Sequence, residues 1–100
     1  MLHYKSIQLI PGIEKYSEQF IFPDNTYRNW NAFEKKVSGI NGPEFITLCD
    51  PQTSGGLLVA VEEKVKKDVI DLLKEERLYD FIRPIGNLST KNDVVVEVRA

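Results

Sequence analysis

Asp50-Pro51-Gln52-Thr53-Ser54-Gly55-Gly56-Leu57-Leu58-Val59-Ala60-Val61 joins a polar turn to an unbroken apolar run. Leu57 to Val61 has no polar position on either face, which is the pattern of a strand covered on both sides, so this run is the expected centre of a sheet. On its N-terminal side, Pro43 opens a short helix with Phe45, Ile46, Leu48 and Cys49 on one face. Pro51 disfavours helical geometry at Asp50 and should end it. On the C-terminal side, Glu62 to Arg77 switches to helical period, with Val65, Val69, Leu72 and Leu73 on one stripe. Glu62/Lys66 and Glu63/Lys67 stand four apart, as ion pairs along an otherwise solvated face.

Further out the signals shorten. Leu2 to Ile10 reads as a first strand closed by Pro11-Gly12, and Ile13, Tyr16 and Phe20 share one face of a short helix. Pro23-Asp24-Asn25 breaks the chain, and Asn29-Trp30-Asn31 leads into a weak alternating strand from Ala32 to Val37, followed by the turn Ser38 to Gly42. Phe81 to Gly86 is a strand that Pro84 pushes toward an edge or a bulge. Val94 to Val98 follows as the second arm of an antiparallel hairpin. Leu57 to Leu88 would form a right-handed crossover unit if its two strands are parallel. The expectation is an α/β domain spanning residues 1–100: a mixed sheet with helices packed on it in two or three layers.

Composition supports a folded chain. A domain of 100 residues should expose about 5,800 Å² and bury about 65% of its unfolded surface. With 42% hydrophobic residues and a net charge of −2, the chain lies outside the disordered class. Thirteen Lys and Arg against fifteen Asp and Glu give no general attraction for nucleic acid or anionic membrane. One cysteine, Cys49, excludes an internal disulfide and points to the cytoplasm. No apolar run approaches the ~20 residues of a bilayer span, and Met1 to Gln8 lacks the apolar stretch of a signal peptide.

The segment with chemistry in it is Thr53-Ser54-Gly55-Gly56. Paired glycines after two hydroxyl residues allow close backbone approach, and N–H groups exposed in such a turn can cradle a phosphate. The same residues equally suit a bare turn. A Walker loop is excluded, because Gly-Lys-Ser/Thr is missing and a strand pattern follows where a helix is needed.

The string Asp50 to Leu58, continued by Val59-Ala60-Val61, resembles the signature of the C-terminal domain of the selenophosphate synthetases (selenide, water dikinases). Thr26-Tyr27-Arg28-Asn29-Trp30 resembles the family's upstream Thr-x-Arg-Asn element, although Pro23-Asp24-Asn25 stands where the family usually places a small glycine turn. Ile85-Gly86 before a closing strand also fits. The resemblance covers nearly all of this chain and about the last third of such an enzyme. It implies the aminoimidazole ribonucleotide synthetase-like fold, and a parent enzyme that converts ATP, selenide and water to selenophosphate, AMP and phosphate.

The family's reactive Cys or selenocysteine, its loop Lys and its magnesium-binding aspartates lie in an N-terminal domain. That domain also supplies the dimer interface and nucleotide site, so ATP and Mg²⁺ belong to the parent and neither a cofactor nor a metal is expected on this chain. Alone it should be catalytically incomplete, with the N-terminal domain as its partner and a weak homodimer expected through an edge at Tyr4 to Leu9 or Val94 to Val98. A free-standing small-ligand or protein-binding module with the same fold is the alternative. Arg28 could grip a phosphate bidentately, or pair with a carboxylate of its own loop. Asn29 could order a ligand or satisfy turn backbone. Trp30 reads as a packing anchor, Cys49 as a structural thiol, His3 as a bystander, and Asp50 as a residue bonding within its own turn.

Overall fold

A computed structural model describes residues 1–100. Four helices and three short strands alternate: β1 (Leu2–His3), α1 (Ile13–Glu18), α2 (Asn25–Phe33), β2 (Val37–Ser38), α3 (Gly42–Leu48), α4 (Lys66–Glu75) and β3 (Val96–Arg99). The strands form a parallel sheet of order β1-β3-β2. Leu2 faces Val98 and Val37 faces Val96. Beyond β1, Leu2 makes an antiparallel bridge to Gly86, and His3 N–H donates to the Ile85 carbonyl. The class is thus mixed α and β, with helices beside a small sheet.

Three helix expectations hold, and α1 is the first of them. Pro43 sits at the start of α3, where its missing N–H costs nothing. The apolar stripe of Glu62 to Arg77 becomes a 3-10 turn at Glu63–Val65 followed by α4. Beyond α4, Arg77 adopts a left-handed φ of 58°, while Arg77 N–H donates to Lys74 and Leu78 N–H to the Leu73 carbonyl. These paired bonds close the helix, with arginine where glycine is usual. Phe20 (φ 56°) ends α1 in the same way. The ion pairs are redistributed to Glu62–Lys64, Glu63–Lys66 and Lys67–Asp71. All are exposed and contribute little.

The sheet differs from expectation. Leu57 to Val61 belongs to no strand, and Leu57 and Leu58 are 94% and 83% exposed. The central strand is β3, whose two edges are taken by β1 and β2, so the 57–61 run has the composition of a strand without a neighbour to pair with. The 57–88 crossover is accordingly absent. The terminal hairpin is absent too, because β3 pairs parallel to β1 and β2, and Phe81 to Gly86 is reduced to a 3-10 turn and the Gly86 bridge. Within Val94 to Val98, Val96 and Glu97 pair with β2 and Val98 pairs with β1. Tyr4 to Ser6 turns into a 3-10 helix, shortening the first strand to two residues. Asn25 to Phe33 is helix where loop and strand were expected, and in that form Thr26 is enclosed and Trp30 packs edge-on to Phe45 while Phe33 stays exposed.

Packing is open. Only Thr26, Ile46 and Val98 are enclosed. Phe45 of α3 gathers Phe22, Tyr27 and Trp30 at ring separations of 5.8, 5.2 and 6.1 Å, the main apolar contact between α2 and α3. The chain exposes 8482 Å², well above the ~5,800 Å² of a closed domain this size. Its radius of gyration is 15.0 Å, against ~12.7 Å for a compact chain.

Candidate functional site

Helix α2 carries Arg28 and Asn29 on neighbouring positions that face different surroundings. Asn29 is half-buried, and its Nδ2 donates to the Cys49 carbonyl oxygen at 2.9 Å. That bond ties α2 to the residue ending α3, immediately before Asp50, so Asn29 anchors the root of the Asp50–Gly56 segment. A second bond steadies α3 from the opposite end of the chain. Thr47 Oγ1 donates to the Pro43 carbonyl (2.8 Å), which leaves the Tyr4 hydroxyl to donate to Thr47 at 2.9 Å. Arg28 makes no ion pair or hydrogen bond and stands exposed, so the intraloop carboxylate partner considered for it is not present.

Thr53 and Ser54 form an exposed bend, with Gly55 and Gly56 exposed beside them. Neither glycine has a left-handed φ, since the positive-φ glycines are Gly12 and Gly39. Gln52 bends over the turn, its Nε2 3.4 Å from Asp50 Oδ2 and its side-chain oxygen close against Gly55. Asp50 thus bonds within its own turn, through a side chain. Between Asp50 and Val61 no backbone N–H or carbonyl enters a backbone hydrogen bond. The Thr53–Gly56 amides are therefore available to an anion, although no contact joins this loop to Arg28.

Cys49 is half-buried, and desolvation raises its thiol pKa. A raised pKa opposes nucleophilic use, in keeping with a structural thiol. Cys49 and Asn29 line an apolar cavity of about 310 Å³ with Trp30, Phe33, Leu48 and Val98. Trp30, edge-on to Phe45, is the expected anchor.

Two features escaped the sequence reading. Thr26 of the Thr-x-Arg-Asn element is wholly enclosed, with its hydroxyl unpartnered. An open polar cavity of about 480 Å³ brings together His3, Lys5, Ser6, Arg83 and Asn87, which lie up to 84 positions apart and share no motif. No group of three or more His, Cys, Asp or Glu side chains lies together as a metal-ligating cluster.

The chain is 40% identical over 95 residues to a selenide, water dikinase of Haemophilus influenzae, covering 93% of this chain and 27% of that protein. The chain is a relative of the selenide, water dikinases. The match to the Pseudomonas putida selenide, water dikinase is 34% over 97 residues, with 97% of this chain and 28% of the relative covered. The Pasteurella multocida selenide, water dikinase is 30% identical over 90 residues, covering 90% of this chain and 25% of the relative. The chain therefore spans about a quarter of the length of the selenide, water dikinases it matches, in their C-terminal part. No family model matches the chain. No solved structure matches it either.

Proposed function

We propose that this chain supplies the C-terminal portion of an ATP-dependent selenophosphate synthetase, with the aminoimidazole ribonucleotide synthetase-like fold. The observation that carries the reading is similarity to selenide, water dikinases along 90–97% of this chain, confined to about a quarter of theirs. In this reading ATP and Mg²⁺ are held by the remainder of the protein, which is also the partner of this chain. Phosphoryl transfer needs cations that neutralise developing charge and a positioned nucleophile, and the 100 residues contribute structure to that centre. Asn29 fixes the root of the Asp50–Gly56 segment through Cys49. Thr53 to Gly56 offers backbone donors, and Arg28 an unpaired guanidinium, toward phosphate oxygens brought by the other domain.

The test is a chimera in which this chain replaces the matching C-terminal segment of the Pseudomonas putida selenide, water dikinase. It should form AMP from ATP in the presence of selenide, while the 100-residue chain alone forms none. Ser54→Ala in the chimera should weaken nucleotide binding and leave the melting temperature unchanged. AMP formation by the purified chain, abolished by a substitution within it, would overturn the assignment.

A free-standing binding module is favoured by one feature, the cavity holding His3, Lys5 and Arg83. Saturable binding of inorganic phosphate by the chain, lost in Lys5→Ala and Arg83→Ala, would support that second reading.

A further inference from the structure

Six asparagines lie in the chain, and Asn41 alone is followed by a glycine, Gly42. An asparagine carboxamide can be attacked by the peptide nitrogen of the next residue, closing a cyclic imide, and glycine crowds that closure least because it has no Cβ. The fold leaves both reacting groups free. Asn41 and Gly42 are exposed, and the Asn41 side chain makes no hydrogen bond to the start of α3. Gly42 is the first residue of that helix, so its N–H has no carbonyl within the helix to donate to, and it donates to no other backbone group. Outside its chain neighbours and its own helix, nothing lies within 4 Å of the Gly42 Cβ position.

The other five asparagines are held or crowded. Asn25 precedes Thr26, which is β-branched and wholly enclosed and whose N–H donates to the Pro23 carbonyl. Asn29 and Asn31 lie inside α2, and the Asn29 side chain is bonded to Cys49. Asn87 donates its N–H to the Met1 carbonyl and is followed by the branched Leu88. Asn92 Oδ1 accepts the Val94 N–H.

We infer that Asn41-Gly42 is a self-modifying peptide, converting Asn41 to a mixture of aspartate and isoaspartate without an enzyme. Hydroxide takes the Gly42 N–H proton, the nitrogen bonds to Asn41 Cγ, and the Cγ–Nδ2 bond breaks as ammonia leaves. Water then opens the imide at one carbonyl to give aspartate or at the other to give isoaspartate, with no oxidation or reduction. Each event adds one negative charge to a chain of net charge −2. Aspartate keeps the backbone and places its carboxylate before the first turn of α3, where negative charge is favourable. Isoaspartate routes the chain through the side chain, one methylene longer. It turns the Asn41 main-chain carbonyl, which accepts the Phe45 N–H at 2.8 Å, into a free carboxylate. The inference rests on the local geometry of this chain and does not depend on the enzymatic reading.

Incubation of the folded chain at pH 8, followed by tryptic mapping, tests it. The fragment from Val37 to Lys64 contains Asn41 and no other asparagine. It should give two products, each about 1 Da heavier, one of them a methyl acceptor for an isoaspartyl methyltransferase. Gly42→Ala adds a Cβ into open space at a backbone without positive φ, so the far-UV spectrum should be unchanged while conversion slows at least ~10-fold. An unchanged fragment, faster conversion at Asn87 or Asn92, aspartate as the sole product, or equal rates in wild type and Gly42→Ala would each overturn the inference.

Discussion

Replacing Gly39 by alanine tests how β2 is held to the central strand. Gly39 follows Val37–Ser38, so the register that sets Ser38 against Glu97 brings it opposite Val98, one of the three enclosed residues. Its φ is +80°, and a Cβ there would collide with the Val98 carbonyl oxygen and lie 2.9 Å from the carbonyl carbon. Two costs combine: about 1–2 kcal/mol for a left-handed backbone carrying a side chain, and about 1–3 kcal/mol for overpacking against backbone that cannot rotate away. Gly12 separates them. It also has a left-handed φ, +91°, but nothing lies within 4 Å of its Cβ position, so Gly12→Ala should show only the first cost. Urea unfolding followed by Trp30 fluorescence and far-UV circular dichroism should place Gly39→Ala about 1–3 kcal/mol below Gly12→Ala at similar m-values. Equal losses in the two variants would show that β2 does not approach Val98 as described.

Other outcomes follow from the helix contacts. Asn29→Ala, which leaves the Cys49 carbonyl without its donor, should lower stability by about 1 kcal/mol, and limited proteolysis between Asp50 and Gly56 should accelerate. Thr26→Val keeps the shape of an enclosed side chain and deletes a hydroxyl that has no partner, so urea denaturation should show stability held or raised by up to ~1 kcal/mol; a loss beyond that would reveal a bound water or another partner. Desolvation raises the Cys49 pKa in the folded chain, so the unfolded thiol ionises first as pH climbs. The associated stability is complete below the unfolded value of ~8.5 and declines as pH rises from there through the folded value. Cys49→Ser should flatten that alkaline decline, and alkylation at pH 8 should be slower for folded than for urea-unfolded chain.

Local rules made part of this protein legible without coordinates. The start of α3 was readable because Pro43 suits the first helical turn, and α4 because its apolar stripe and solvated face agree with each other. The Asp50–Leu58 string was enough to point to the selenophosphate synthetases, since spacing within a motif is written in the chain. The roles of Arg28 and Asn29 stayed open because adjacent helix positions point about 100° apart, and only packing decides which meets Cys49 and which meets solvent.

The strand partners lay beyond the sequence. Apolar continuity in Leu57 to Val61 expresses suitability for burial, but a strand exists only where another backbone supplies its hydrogen bonds, and that depends on residues distant along the chain. Here β1 and β2 pair with β3, and Leu57 to Val59 is left largely exposed. The same long-range dependence hid the cavity formed by His3, Lys5 and Arg83, whose side chains become neighbours only when β1 closes against Ile85 and Gly86. Composition and periodicity determined which segments seek cover, and tertiary structure decided which obtained it, because pairing and burial are joint properties of segments far apart in sequence.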